Sequence, residues 1–176
     1  CAAIEALSAA QEATETAFPT AALTLVHPDP AIEAPDDPLA IAAAFAEGRR
    51  RDMAAGRTLI GPHRADLHAV FRDKDMPAKD CSTGEQKALL ISLILANGRA
   101  LIRDFGAPPI LLLDEVAAHL DATRRAALYD EICALGSQAF MTGTGPELFA
   151  ELGTRAQFAE VTDTAGQSTL TERTAQ

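Results

Sequence analysis

The chain has 176 residues, of which 48% are hydrophobic, so it can form one domain with a buried core or part of a larger one, and a disordered chain is excluded. Its 15 Lys and Arg against 25 Asp and Glu give a net charge of −10, and any contact with nucleic acid must therefore be local. Three widely spaced cysteines without a CxxC pair argue against a disulfide framework or a zinc site. The same cysteine pattern fits a reducing, cytoplasmic setting. Because no apolar run approaches the roughly 20 residues of a membrane span, we expect a soluble protein that does not contact a membrane. The start at Cys1, without a recognisable signal peptide, suggests an internal cut.

The first third of the chain is predicted to be mostly helical. Residues 1–16 predict a helix, residues 21–26 a short strand, and the Pro- and Asp-rich residues 27–38 a loop. A second helix is expected over residues 38–55. It carries the cluster Arg49–Arg51, which is either a local nucleic-acid contact or a solvated helix end near the negative end of the helix dipole.

Alternating strands and helices are predicted for the rest of the chain. Residues 57–71, "RTLIGPHRADLHAVF", predict a strand, a Gly-Pro turn and a second strand, followed by a polar turn at residues 73–75. The further predicted elements are a helix over 82–103, a buried strand over 110–113, a helix over 122–135, a strand over 138–142, a short helix after Pro146 and a terminal hairpin around 164–167. This order predicts an α/β fold with parallel strands.

Two adjacent acids, Asp114 and Glu115, follow the aliphatic strand "ILLL". Such a strand suits burial on both faces, and its carboxyl end is the edge at which open α/β sheets bind ligands. Successive strand side chains point to opposite sides, so one carboxylate can address a metal-bound water and the other an attacking water. Mg²⁺ would relieve the repulsion between the two charges. The alternative is a strand end with two solvated acids.

A possible phosphate site begins the helix of residues 82–103. Ser82 and Glu85 have the S-x-x-E spacing of a capping box, and the helix behind them is apolar almost all round, which predicts burial. Free backbone N–H groups, the serine hydroxyl and Gly84 suit a phosphate, although an ordinary cap explains the same residues. Asp121 can likewise be a plain N-cap for the helix that starts at Ala122.

The order of these motifs resembles a known family. "STGEQK", then "ILLLDE", then "HLD" followed by a helix and the strand "QAFMT" resemble the C-terminal half of an ABC-type (P-loop NTPase) ATPase head of the SMC/Rad50/RecF group. "GPHRADL" and "LDATRR" are most similar to the RecF family, and the resemblance covers about residues 57–172. It implies that residues 57–176 are the C-terminal half of such a head and that residues 1–56 are the helical part of a second lobe.

The resemblance also implies roles for individual residues. Asp114 would be the Walker B aspartate that serves Mg²⁺, Glu115 the base that orients the hydrolytic water, and Asp121 part of the D-loop across a dimer interface. The signature that contacts the γ-phosphate of ATP held by a partner subunit would comprise Ser82, Thr83, Gly84 and Glu85.

Two departures from the family pattern and one missing motif refine this expectation. Thr83 replaces a glycine of many signatures, which is tolerable if its side chain points away from the nucleotide. "FMTGTG" has Thr142 and Thr144 where many ABC ATPases carry a histidine, so we expect slow hydrolysis. No G-x-x-x-x-G-K-[ST] motif occurs in the sequence. We therefore expect this chain alone to be inactive, to bind neither ATP nor Mg²⁺ tightly, and to expose a sheet edge or an apolar face.

For the intact protein, the resemblance implies an ATP-dependent DNA-binding protein of recombinational repair and replication-gap processing. ATP sandwiched between two heads would drive homodimerisation on DNA at single-strand gaps or duplex junctions, with RecR-like and RecO-like mediator proteins as partners. One alternative is another SMC-like or Rad50-like head, which the lack of heptads in residues 1–56 disfavours. Another is a non-catalytic module. His63 and Arg64 either shape the nucleotide or interlobe region or belong to a simple turn.

Overall fold

The computed structural model describes residues 2–13, 15–26, 37–118 and 120–173. The helices are α1 (Ala2–Glu12), α2 (Pro38–Ala55), α3 (Thr83–Phe105) and α4 (Ala122–Leu135), with short 3₁₀ segments at Pro62–Arg64, Arg72–Lys74, Ala78–Asp80 and Pro146–Arg155. The strands are β1 (Ala21–Val26), β2 (Asp66–Phe71), β3 (Met76–Pro77), β4 (Leu111–Leu113), β5 (Ala139–Met141), β6 (Phe158–Thr164) and β7 (Gln167–Arg173). Most of the predicted loop over residues 27–38 lies outside the described residues, as do His27 and the His119 of "HLD".

The strands of the described residues form three small sheets. β1, β2 and β3 are antiparallel, β6 and β7 form the predicted terminal hairpin, and β4 and β5 are parallel neighbours. In the parallel pair, Leu112 lies opposite Phe140, and the pairing continues by one hydrogen bond from Thr142 N–H to the Leu113 carbonyl at 3.1 Å. The expected α/β fold with parallel strands is confirmed, and the ends of β4 and β5 lie at one edge.

The main core lies on one face of the parallel pair. Leu111 and Leu113 are buried there together with residues of α3 and α4: Ala88, Ile91, Leu95, Leu128, Tyr129 and Ile132. The opposite face is not covered by any described element, because Leu112 exposes 77% of its surface and Phe140 55%. The prediction that this strand is buried on both faces is therefore wrong for the described chain, whereas the expected exposed apolar face is present in it. The apolar run of β4 is that of a central strand, but the described elements pack on one side of it alone.

Helix α3 starts at the predicted cap, Ser82, and ends at Phe105, two residues beyond the predicted end at Arg103. Ser82 is the N-cap of a complete capping box, and Gly106, in the left-handed region with φ 70°, ends the helix. The predicted burial is only partly correct, because Leu90 is 58% exposed and Phe105 77% exposed. One face of α3 packs into the core, and the rest is open within the described residues.

The N-terminal helix and strand pack against elements of residues 57–176. Ala10 of α1 is buried with Ala96 and Ala100 of α3, where three small side chains let the helices approach closely. The buried Gln11 joins α1 to β1, since its amide accepts the Ala21 N–H at 2.8 Å and donates to the Ala21 carbonyl at 3.2 Å. The division at residue 56 stays a prediction, and these contacts associate α1 and β1 with the C-terminal part.

Residues 57–61 do not form the strand that their sequence predicts. Asp52 of α2 takes up backbone donors of this segment: its carbonyl accepts the Arg57 N–H at 3.2 Å and its carboxylate the Leu59 N–H at 3.0 Å. With those donors satisfied by a helix end, no strand partner is required. The chain turns at Gly61, and β2 begins at Asp66.

None of the helices in the described ranges has the length and apolar character of a membrane span.

Candidate functional site at the end of the parallel strands

The two adjacent acids lie directly beyond the end of β4. Strand pairing stops at Leu113, and the side chains of Asp114 and Glu115 are both exposed. Glu115 has φ 45°, in the left-handed region that non-glycine residues rarely adopt. The expected strand-like alternation of the two acids is therefore wrong, because the backbone turns at Glu115 instead of continuing extended.

Thr142, at the end of the neighbouring strand, connects both acids. Its hydroxyl donates a hydrogen bond to Asp114 Oδ1 and accepts the Glu115 backbone N–H at 3.0 Å. One side chain thus orients the Asp114 carboxylate and fixes the backbone on which Glu115 is carried. In the sequence, Thr142 was noted only as a position without a histidine, and its role depends on the pairing of β4 with β5, whose paired residues, such as Leu113 and Met141, are 28 positions apart.

Lys87 joins the beginning of α3 to the same turn. Its ammonium group donates to the Glu115 carbonyl at 3.0 Å and to the Ala118 carbonyl. Lys87 lies five residues after Ser82, about 7.5 Å along the helix axis at 1.5 Å per residue. The "STGEQK" helix is therefore tied to the backbone that carries Glu115. The sequence placed Lys87 within that motif but gave no sign of its partners.

The start of α3 is an occupied cap. The Ser82 hydroxyl donates to Glu85 Oε2 at 2.7 Å and accepts the Glu85 N–H at 3.4 Å, while the Ser82 N–H donates to the same carboxylate at 2.9 Å. Thr83 is exposed, and a Cβ added to Gly84 would meet no atom within 4 Å, so approach to this tip is open. The capping box is confirmed, and a phosphate-binding role for these residues stays a prediction.

The Glu85 carboxylate is held in its charged form. An ion pair with Lys74, together with hydrogen bonds from Ser82, lowers its pKa to about 2. The same ion pair raises the pKa of Lys74. The carboxylate at the tip of α3 is therefore paired with a neighbouring lysine, and this ion pair partly screens its negative charge from an approaching anion.

Asp121 is the N-cap of α4, as the first of its two interpretations, an ordinary helix cap, predicts. Its carboxylate accepts the Arg124 N–H at 2.8 Å and is exposed. The preceding Leu120 is buried, and its carbonyl accepts a hydrogen bond from Arg125 at 3.0 Å, which fixes Leu120 against the first turn of α4. A D-loop role for Asp121 stays a prediction.

The GPHR segment packs against α2. A Cβ at Gly61, whose φ is 138°, would lie 2.8 Å from Cε1 of Phe45. His63 Nε2 donates to the Thr58 carbonyl at 3.1 Å, and Arg64 Nε is buried without a hydrogen-bond partner among the described residues. This segment therefore serves at least as a turn that folds back on α2.

In sequence, the chain is similar to bacterial repair proteins. It is 62% identical over 120 residues to the DNA replication and repair protein RecF of Allorhizobium ampelinum. The aligned residues make up 68% of this chain and 32% of that relative. It is 56% identical over 152 residues to RecF of Rhizobium rhizogenes and 53% identical over 160 residues to RecF of Rhizobium johnstonii. Over the part that it spans, the chain belongs to the RecF family. It covers 32% to 42% of the length of these relatives, and no protein-family model matches it.

Solved structures show the same fold. A structure of the recombination mediator protein RecF-ATPrS in the RecFOR pathway has a TM-score of 0.55 at 22% identity, with 82% of this chain and 40% of that one covered. A structure on ATP-driven dimerization and DNA-stimulated activation of SMC ATPases has a TM-score of 0.54 at 18% identity and covers 97% of this chain and 85% of the other. At these identities the similarity establishes the fold of the ATPase heads alone. The family assignment rests on the RecF sequences.

The described residues of this RecF-family chain could supply part of the ligands of a magnesium ion but not a complete set. No group of three or more His, Cys, Asp or Glu side chains in the described ranges is arranged to hold a metal ion. Asp114 offers an exposed carboxylate with one oxygen oriented by Thr142. Mg²⁺ often takes one or two carboxylates and fills its other positions with water and phosphate oxygens, so Asp114 suits that partial role.

Proposed function

We propose that this chain supplies the Walker B, signature and D-loop part of an ATPase head in a RecF-family DNA replication and repair protein. The observation that carries the proposal is the turn after β4, where Thr142 orients Asp114 and Lys87 holds the backbone of Glu115. The sequence identity of 53% to 62% to RecF proteins supports the choice of this family over SMC-like or Rad50-like heads. The fold alone would not decide it, because the TM-score is 0.54 to an SMC structure and 0.55 to a RecF structure.

In this proposal Asp114 holds Mg²⁺ and Glu115 orients the attacking water. The metal ion would neutralise charge on the phosphate oxygens of ATP when bound. The carboxylate of Glu115 is exposed beyond the strand edge, and its backbone is fixed at both its N–H and its carbonyl. A base held in this way is suited to direct a water molecule at a γ-phosphate.

The tip of α3 would contact the ATP held by a second head. Ser82, Thr83, Gly84 and Glu85 present an open helix N-terminus at which backbone N–H groups favour an anion. Asp121 would lie across the same interface. ATP-dependent homodimerisation, binding to DNA at gaps or duplex junctions, and interaction with RecR-like and RecO-like mediators are proposed for the whole protein from its family.

The experiment that tests the proposal replaces Glu115 with Gln in the full-length protein that contains this sequence. We expect a loss of hydrolysis of about 10²- to 10⁴-fold with ATP binding retained, because only the base is removed. ATP-dependent dimers, measured by analytical ultracentrifugation, should persist longer than in the wild type. Glu172→Gln, at an exposed position in the terminal hairpin, is the matched control and should behave like the wild type.

Unchanged hydrolysis and dimerisation in the Glu115→Gln protein would support the competing hypothesis of a non-catalytic module. For the 176-residue chain alone, equilibrium dialysis should detect no tight ATP binding, because the sequence contains no P-loop. Micromolar binding by this chain would show that its own residues suffice for a nucleotide site.

A further inference from the structure

Positive charge is concentrated in one short segment of this acidic chain. Residues 49–64 contain five arginines and one acid, a net charge of +4, so the remaining residues account for −14 against the total of −10. The five are Arg49, Arg50, Arg51, Arg57 and Arg64. A polyanion would be repelled by most of the chain and attracted to this segment.

The fold converts this segment into a compact surface. Gly56, with φ 63°, ends α2 and reverses the chain, and Asp52 then accepts the Leu59 N–H at 3.0 Å. The following Gly61 lies against Phe45, at a distance where a Cβ would clash. The second half of the segment is thereby held against the helix that carries the first half.

A groove of about 300 Å³ lies between the two halves. It is lined by Phe45, Arg49, Asp52, Thr58 and His63. His63 donates through Nε2 to the Thr58 carbonyl, which leaves Nδ1 as the ring nitrogen available to a ligand. Asp52 already accepts a backbone N–H through Oδ1, so its carboxylate serves the turn. Arg49 is then the arginine that lines the groove, and the Thr58 hydroxyl is a second donor for an anion.

We propose that this groove binds a phosphate of a nucleic-acid backbone, with Arg49 as the principal contact, and that the surface of residues 49–64 is a DNA-binding surface of the protein. The inference rests on the proposed function, in which DNA is the partner. A phosphate backbone matches the observations because arginine pairs with phosphate through two parallel hydrogen bonds and the surrounding arginines supply the sequence-independent attraction.

The helix provides a matched pair of variants. At 100° per residue, Arg51 lies about 200° around α2 from Arg49, on the other side from the groove that Arg49 lines. Arg49→Gln and Arg51→Gln remove the same charge from neighbouring exposed positions. A purely electrostatic effect would weaken DNA binding equally in both proteins, whereas a phosphate contact in the groove would not.

The experiment measures DNA binding by the full-length protein with ATP as a function of salt, by fluorescence anisotropy on a labelled duplex with a single-strand gap. We expect Arg49→Gln to weaken binding about tenfold and to lower the slope of log K against log salt by about 0.9, the value for one lost phosphate contact. Arg51→Gln should keep the wild-type slope. ATP-dependent dimerisation should be unchanged in both variants.

Other outcomes would overturn the inference in distinguishable ways. Equal effects of the two substitutions, or no effect of either, would exclude the groove as a phosphate site while leaving the proposed function intact. Absence of DNA binding by the wild type would instead contradict the proposed function. Polyglutamate that competes with DNA at equal charge concentration, with the same dependence on Arg49, would identify an acidic protein as the partner and refute a nucleic-acid site.

Discussion

Replacing Lys87 with Met tests whether α3 positions the turn after β4 that carries the proposed base Glu115. The substitution keeps the aliphatic stem and removes the hydrogen bonds to the carbonyls of Glu115 and Ala118. The bond to Ala118 is partly buried and contributes about 1.5 kcal/mol, the lower value for a charged donor, whereas the exposed bond to Glu115 contributes at most about 0.5 kcal/mol because water can replace it. We therefore expect a loss of about 2 kcal/mol in unfolding free energy.

The assay has a thermodynamic and a kinetic arm. For a chain of this size, about 2 kcal/mol lowers the melting temperature by roughly 4–8 °C in a calorimetric scan. In the full-length protein, kcat for ATP hydrolysis should fall about tenfold with KM unchanged, since the backbone of Glu115 loses one tether and ATP binding keeps its contacts.

The control for this prediction is Lys79→Met. Lys79 is exposed, and its side chain makes no hydrogen bond or ion pair in the described ranges, so the substitution should change neither stability nor kcat. A Lys87→Met protein with lowered stability but wild-type kcat would show that the lysine only supports the fold. Wild-type values of both quantities would refute the reasoning from its contacts.

Three further predictions concern the turn, the groove and the helix tip. Thr142→Val should lower kcat about tenfold without weakening ATP binding in the full-length protein, with Thr142→Ser restoring most of the rate because it keeps the hydroxyl. Gly61→Ala should lower the unfolding free energy in urea by about 1–3 kcal/mol, because its Cβ would overlap the ring of Phe45 and its φ of 138° disfavours alanine; a stability equal to that of the wild type would contradict this packing. The ion pair with Lys74, together with the hydrogen bonds from Ser82, lowers the pKa of Glu85 to about 2, so the charged carboxylate stabilises the fold at pH values above 4.5, and this stabilisation is lost as the pH falls from 4.5 towards 2. Glu85→Gln should therefore flatten the dependence of the melting temperature on pH between these values, and an unchanged dependence would exclude Glu85 as its source.

Local sequence signals predicted the helices well. Helix α2 begins at Pro38, which suits the first turn, and ends before Gly56. Helix α4 begins after its N-cap, Asp121, and ends before Gly136. Each of these residues has a conformation or a hydrogen bond that ends a helix whatever surrounds it. Residues 57–61 were misassigned because their backbone donors are taken up by Asp52, a partner that no pattern within the segment indicates.

The position of the candidate site could be predicted from the sequence, but the contacts that orient its residues could not. The aliphatic run before Asp114 placed both acids at the end of a strand, because burial patterns identify such strands from sequence. The contacts that orient them come from Thr142 and Lys87, each about 28 residues away, and such pairs depend on how strands and helices assemble. An exposed apolar face was expected because the sequence has no P-loop half, but the apolar run of β4 did not indicate that Leu112 would lie on that face.

The backbone of Glu115 explains why these distant contacts matter. A left-handed conformation costs a residue with a side chain about 1–2 kcal/mol, so an isolated Asp-Glu pair after a strand would not adopt it. Here the N–H of Glu115 is bonded to Thr142, and its carbonyl accepts from Lys87 and from the Ala118 N–H at 3.1 Å. Hydrogen bonds that contribute about 0.5–1.5 kcal/mol each are sufficient to offset that cost. The contacts come from Thr142, directly after β5, and from Lys87 of α3. A displacement of either element would weaken support for the turn, so the orientation of the proposed base depends on both β5 and α3.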